Sequence, residues 1–93
     1  MDSLEELRKS IDNIDNAIVA MLAERFKVTD RVGRFKAREN LPAKDPDREA
    51  IQHERIRELS HQYGLDPRLA SSILDQVIDK VVANHQRINR GPT

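Results

Sequence analysis

The chain has 93 residues, enough for one domain, and its 16 basic and 16 acidic residues cancel. That balance speaks against a general nucleic-acid binder, which carries a basic excess, and only three aromatics and three glycines speak against a β-sandwich or barrel. With no cysteine there can be no disulfide framework, thiolate metal site or cysteine nucleophile. No apolar run approaches the ~18 residues of a membrane span, and Met1-Asp2-Ser3 does not open a signal peptide. The expectation is a small, soluble, cytoplasmic protein made of helices.

In the first segment Leu4, Leu7, Ile11, Ile14, Ile18, Met21, Val28, Val32 and Phe35 recur at alternating steps of three and four, with Arg25 in the one gap. Such a heptad seam, free of Pro and of Gly until Gly33, predicts one helix from about Ser3 to Arg38. Ser3 or Asp2 caps its start, and Glu5 and Glu6 suit the first turn. Gly33 costs the helix ~1 kcal/mol against Ala, which points to close packing or a bend there. Residues 39–44 form a loop. Asp45-Pro46 then reads as N-cap and N1 proline of a second helix, which runs to about Tyr63 with Gly64 as its stop. Asp66-Pro67 repeats the signal for a third helix to about Arg90, its apolar face formed by Leu69, Ile73, Leu74, Val77, Ile78, Val81, Val82 and Ile88. Gly91-Pro92-Thr93 is a tail. The fold class is all-α: a single domain over 1–93, a three-helix protomer of one long and two medium helices.

Length carries a second argument. From Leu4 to Lys36 at ~1.5 Å per residue is ~50 Å, whereas a compact monomer of this size has a radius of gyration of ~12 Å and a diameter of ~32 Å. The first helix overhangs its own globule and leaves an apolar seam in water, so a second chain is needed to cover it. The expected assembly is an intertwined homodimer with its long helices paired antiparallel.

Arg25 stands in the seam, and Arg8 and Lys36 stand beside it. A guanidinium left buried and unpaired costs several kcal/mol. One reading makes Arg25 a register-setting residue, or half of an ion pair with helix two or three; the other makes it part of an anion site built in a bundle core. Lys36 lies three turns beyond Arg25 on nearly the same face, ~16 Å along the axis, so both could grip one small dianion. Arg8 is ~25 Å from Arg25 along the helix, too far to join them. If two helices pair antiparallel about residue 20, the partner's Arg8 falls opposite residue 32, and three cations from two chains converge. Elsewhere, Arg48 and Glu49 read either as capping and a solvated face beside Asp45 or as site residues, and His85 reads as a satisfied core histidine. His53 and His61 read as surface residues. No HExxH spacing joins the histidines, so no metal is expected, and neither a phosphate loop nor a nucleophile elbow is present.

The runs Leu7-Arg8, Ile11-Asp12-Asn13-Ile14-Asp15, Leu22-Ala23-Glu24-Arg25, Val32-Gly33-Arg34-Phe35-Lys36 and Asp45-Pro46-Asp47-Arg48-Glu49 resemble the all-helical (AroQ-class) chorismate mutases, in order and from about Leu4 to Ile88. The resemblance implies a three-helix protomer in an intertwined dimer and the unimolecular Claisen rearrangement of chorismate to prephenate, with no cofactor, nucleophile or general base. It implies that Arg25 and the partner's Arg8 bind the two substrate carboxylates. Lys36 contacts a carboxylate and the ether oxygen as the main electrostatic catalyst, Asp45 and Glu49 bind the ring hydroxyl, and Arg48 lines that end. On helix three the family's serine and glutamine positions hold Val81 and His85. Val81 cannot hydrogen-bond, while His85 can donate to the ether oxygen as a neutral tautomer or as imidazolium. On the same fold, isochorismate pyruvate-lyase and amino-deoxychorismate mutase are the alternative chemistries. From another class, a non-catalytic helical dimerisation module is the alternative reading.

Overall fold

The structure is a computed structural model that describes residues 2–90, so the Gly91-Pro92-Thr93 tail lies outside the described residues. It contains three helices: α1 (Leu4–Arg38), α2 (Pro46–Tyr63) and α3 (Pro67–Arg90). Each begins where its capping chemistry directs. The Ser3 side chain accepts a 3.1 Å hydrogen bond from the Glu6 N–H, and Asp45 Oδ1 accepts one of 3.1 Å from the Arg48 N–H. Asp66 Oδ1 accepts one of 2.9 Å from the Arg68 N–H. These side chains satisfy amides that a helix start leaves without intrahelical acceptors. Gly64 ends α2 in the left-handed region, at φ 71°, and its N–H and that of Leu65 both turn back to the Ser60 carbonyl. Asn40, at φ 55°, turns the chain after α1, a conformation that Asn tolerates better than most residues.

α3 is the central element, with α1 packed on one side and α2 on the other. Its residues Ala70, Leu74 and Ile78 form the buried apolar core at steps of four, with His85 and Asn84 buried further along. The α1 contact uses only the C-terminal half of that helix: every residue from Asp2 to Met21 is exposed. Hence the protomer measures 57 × 29 × 15 Å with a radius of gyration of 16.8 Å, well above the ~12 Å of a compact chain this long. The whole seam from Leu4 through Leu7, Ile11, Ile14, Ile18 and Met21 to Val28, Val32 and Phe35 is open to solvent in the single chain. Among the described residues no helix is long and apolar enough to cross a membrane.

Two expectations need correction. Leu69 and Ile73 were expected on the packed face of the third helix, yet they are 51% and 48% exposed. They form a stripe displaced one residue from Ala70, Leu74 and Ile78, about 100° around the helix, which turns them off the flanking helices. His53 was expected at the surface but is half-buried between α2 and α3. Its Nε2 lies 2.7 Å from Asp75 Oδ1 and its Nδ1 2.9 Å from the Glu49 carbonyl oxygen, two acceptors that the ring can serve together only when protonated.

Candidate functional site

A cavity of about 310 Å³ lies between the C-terminal half of α1, the start of α2 and the middle of α3. That is a size suited to one small metabolite. Arg25, Lys36, Asp45, Arg48, Glu49, Val81 and His85 all line it. Arg8 does not: it sits on the exposed N-terminal half of its own α1.

The cationic wall comes from α1. Arg25 is half-buried, and its Nη1 is buried with no hydrogen-bond partner. Lys36 Nζ donates to the Ala43 carbonyl at 3.3 Å, tying the α1–α2 connection to the end of α1. Among the described residues neither side chain takes part in a salt bridge. An ion pair from Arg25 to α2 or α3 is therefore absent from the protomer. A buried guanidinium donor with no acceptor is costly, and an anion in the cavity removes that cost.

The opposite end is built by the first turn of α2. Asp45 caps that helix as expected and also faces the cavity, so capping and site roles coexist in one carboxylate. Glu49, one turn on, lines the cavity and pairs with Lys44 at 3.3 Å. Arg48, though exposed, contributes to the same wall. Two carboxylates at i and i+4 present acceptors to whatever occupies this end.

α3 supplies Ile78, Val81, Val82 and His85. His85 is only 4% exposed. Its Nε2 donates to the Thr29 carbonyl at 2.7 Å, while Nδ1 is buried without a partner. The core-histidine reading thus describes one ring nitrogen and leaves the other open. Gly33 explains how the ring fits: a Cβ there would lie 2.6 Å from His85 Cδ2 and 3.1 Å from Ile88 Cδ1. Close packing, the first of the two expectations for this glycine, is what the structure contains.

Thr29 and Gln52 also line the cavity and were not singled out from sequence. Gln52 was legible: it falls three residues after Glu49 and four after Arg48, on the same helix face. Thr29 acts through a backbone carbonyl, which no residue type announces. Outside the cavity, His53 titrates above the ordinary histidine value of 6.5, chiefly because it bonds the Glu49 carbonyl and secondly because it bonds Asp75. Among the described residues no group of three or more potential metal ligands converges.

The cavity is partly open to solvent. Arg25 and Val28 line both this pocket and an apolar groove along the α1 seam that includes Ile14, Ile18 and Met21. The pocket and the groove therefore adjoin at these two residues.

Comparison with known proteins bears on what occupies it. The family described as "Chorismate mutase type II" matches residues 7–86. A chorismate mutase of Methanocaldococcus jannaschii is 34% identical over 85% of this chain and 80% of its own length. A bifunctional chorismate mutase/prephenate dehydratase of Aquifex aeolicus is 45% identical over 69% of this chain. Its Escherichia coli K12 namesake is 30% identical over 88%. This chain spans only 18% and 21% of those two longer proteins.

Proposed function

The chain belongs to the type II chorismate mutase family, and we propose that it converts chorismate to prephenate by a Claisen rearrangement, by holding a folded substrate against fixed charge. One bond forms and one breaks within a single molecule, with no nucleophile, base or cofactor. The enzyme's task is to select a chair-like conformer and to place positive charge beside the ether oxygen as its bond to carbon lengthens. The observation that carries this reading is the Arg25 Nη1 donor, buried without an acceptor in a cavity that also holds Lys36.

In this reading Arg25 binds one substrate carboxylate. Lys36 binds a carboxylate and the ether oxygen and is the main electrostatic catalyst. Asp45 and Glu49 take the ring hydroxyl as acceptors, with Arg48 beside them. Val81 packs without donating, so one carboxylate has fewer donors than an all-polar wall would give. His85 faces the ether oxygen.

The remaining carboxylate takes the partner's Arg8 in an intertwined homodimer. The exposed seam and the open side of the pocket support this assembly. So does the charge pattern of α1: residues 4–20 carry four acidic and two basic side chains, and residues 21–38 carry two acidic and six basic. Antiparallel pairing sets each half against its opposite. The same reading places the enzyme in the cytoplasm, in aromatic amino acid biosynthesis.

The test is incubation of the purified chain, without metal or cofactor, with chorismate, isochorismate and 4-amino-4-deoxychorismate in parallel. Prephenate from chorismate, lowered at least a hundredfold in kcat/KM by Lys36→Ala (about 3 kcal/mol of transition-state stabilisation), is the expected result. Turnover of isochorismate or of the amino analogue instead would move the assignment to another reaction on the same scaffold. No turnover of any of the three would leave a dimerisation module.

A further inference from the structure

We infer that His85 serves the rearrangement as an imidazolium, donating from Nδ1, and that the ring takes up this second proton together with the dianionic substrate. The inference rests on the mutase reading above and concerns the charge state of its site. The geometry leaves the ring no other donor. Nε2–H is committed to the Thr29 carbonyl at 2.7 Å. Gly33 packs against the Cδ2–Nε2 edge with no space for a Cβ, and a ring turned over would set Cε1 against the Thr29 carbonyl and lose that bond. The remaining nitrogen, Nδ1, is buried without a partner. A singly protonated ring with its hydrogen on Nε2 offers only a lone pair at Nδ1, and a lone pair repels an ether oxygen that is gaining negative charge. With the second proton the same atom becomes a charged donor.

Other charged groups face this ring or lie close to it in the chain. Arg25 and Lys36 reach the cavity from α1, Asp45 and Glu49 from the start of α2, with Arg48 beside them. Asp30, next to Thr29 on α1, has a buried Oδ1 without a partner, and on α3 Arg87 donates to Asn84. Carboxylates ordinarily titrate below this range and arginine and lysine above it, so histidine is the residue type here that changes charge between pH 5 and 8. A positive charge on a ring this buried needs an anion beside it. The two carboxylates of the substrate supply one, and the proton comes from solvent as the ligand binds.

Two measurements on the full chain decide it. The first is kcat for chorismate from pH 5.5 to 9. Wild-type kcat falls on the alkaline side, approaching tenfold per pH unit. His85→Gln, which carries a neutral amide donor, is slower and flat, and His53→Gln keeps the wild-type limb. The second is nitrogen NMR of histidine-labelled protein at pH 7.5, with and without saturating prephenate. The His85 ring should pass from one proton, on Nε2, to two. A flat wild-type profile, a limb that survives in His85→Gln, or an Nδ1 that stays unprotonated in the complex would overturn the inference while leaving the mutase assignment intact. No chorismate turnover at any pH would overturn both.

Discussion

Gly33 and His85 occupy one small volume at the contact of α1 with α3, and each sets the terms for the other. Replacing Gly33 with Ala recovers about 1 kcal/mol of helix propensity, but the new methyl would sit 2.6 Å from the His85 ring, and overpacking of that kind costs about 1–3 kcal/mol. Urea denaturation should therefore find Gly33→Ala destabilised by about 1 kcal/mol, opposite in sign to an ordinary Gly→Ala change in a helix. His53 makes a different prediction. Its bonds to the Glu49 carbonyl and to Asp75 favour the protonated ring and raise its pKa from 6.5. The stabilisation from that clamp is fully present below the unfolded value of about 6.5 and is lost as pH rises through the raised folded value. A melting temperature that declines over this interval, with the decline removed in His53→Gln, is the expected pattern. A partly exposed pair of this kind makes the effect small.

At the scale of the element, the helix ends carry out what their local sequences encode. Asp45 and Asp66 cap before prolines, and Gly64 stops α2 at φ 71°. No heavy atom crowds the Gly64 Cβ position, so Gly64→Ala tests backbone strain alone. A left-handed conformation costs a non-glycine residue about 1–2 kcal/mol, which in a chain this size lowers the melting temperature by about 4–8 °C per kcal/mol. The cavity end of α2 shares this economy. Asp45 caps the helix and faces the cavity, and Glu49 follows one turn later on the same face. α1 is the element that runs past the helices it packs on, and its N-terminal half has no packing partner among the described residues.

For the whole molecule, that unpartnered half is what the proposed homodimer would cover. Ile11, Ile14 and Ile18 are each more than half exposed, and burying such a side chain fully is worth about 1.5–3 kcal/mol. In the proposed homodimer, Ile14→Glu places a charge in the seam. Sedimentation should show loss of the dimer, and circular dichroism should show reduced helicity, because the bare N-terminal half of α1 has little to hold it. Activity should fall in parallel, since the pocket then loses both its closing wall and the partner's Arg8. A monomer with undiminished activity would refute the shared-site assembly.

How far the sequence alone reached follows from the range of the forces involved. Capping, proline placement and hydrophobic period act within a few residues, so all three helices and their limits were legible from Ser3, Asp45-Pro46, Gly64 and Asp66-Pro67. The seam with Arg25 inside it was legible too, because a charge breaking an apolar repeat is a local anomaly. Recognition of the family's motifs then named seven of the residues that line the cavity, together with Arg8, which does not line it within one chain. Three-dimensional packing decided the rest. Which stripe of α3 turns inward depends on where α1 and α2 lie, so Ala70 rather than Leu69 became core. His53 found Asp75 22 residues away, a pairing that no local pattern encodes. The Thr29 carbonyl reached His85 across 56 residues, and that single backbone bond determines which ring nitrogen is left without a partner.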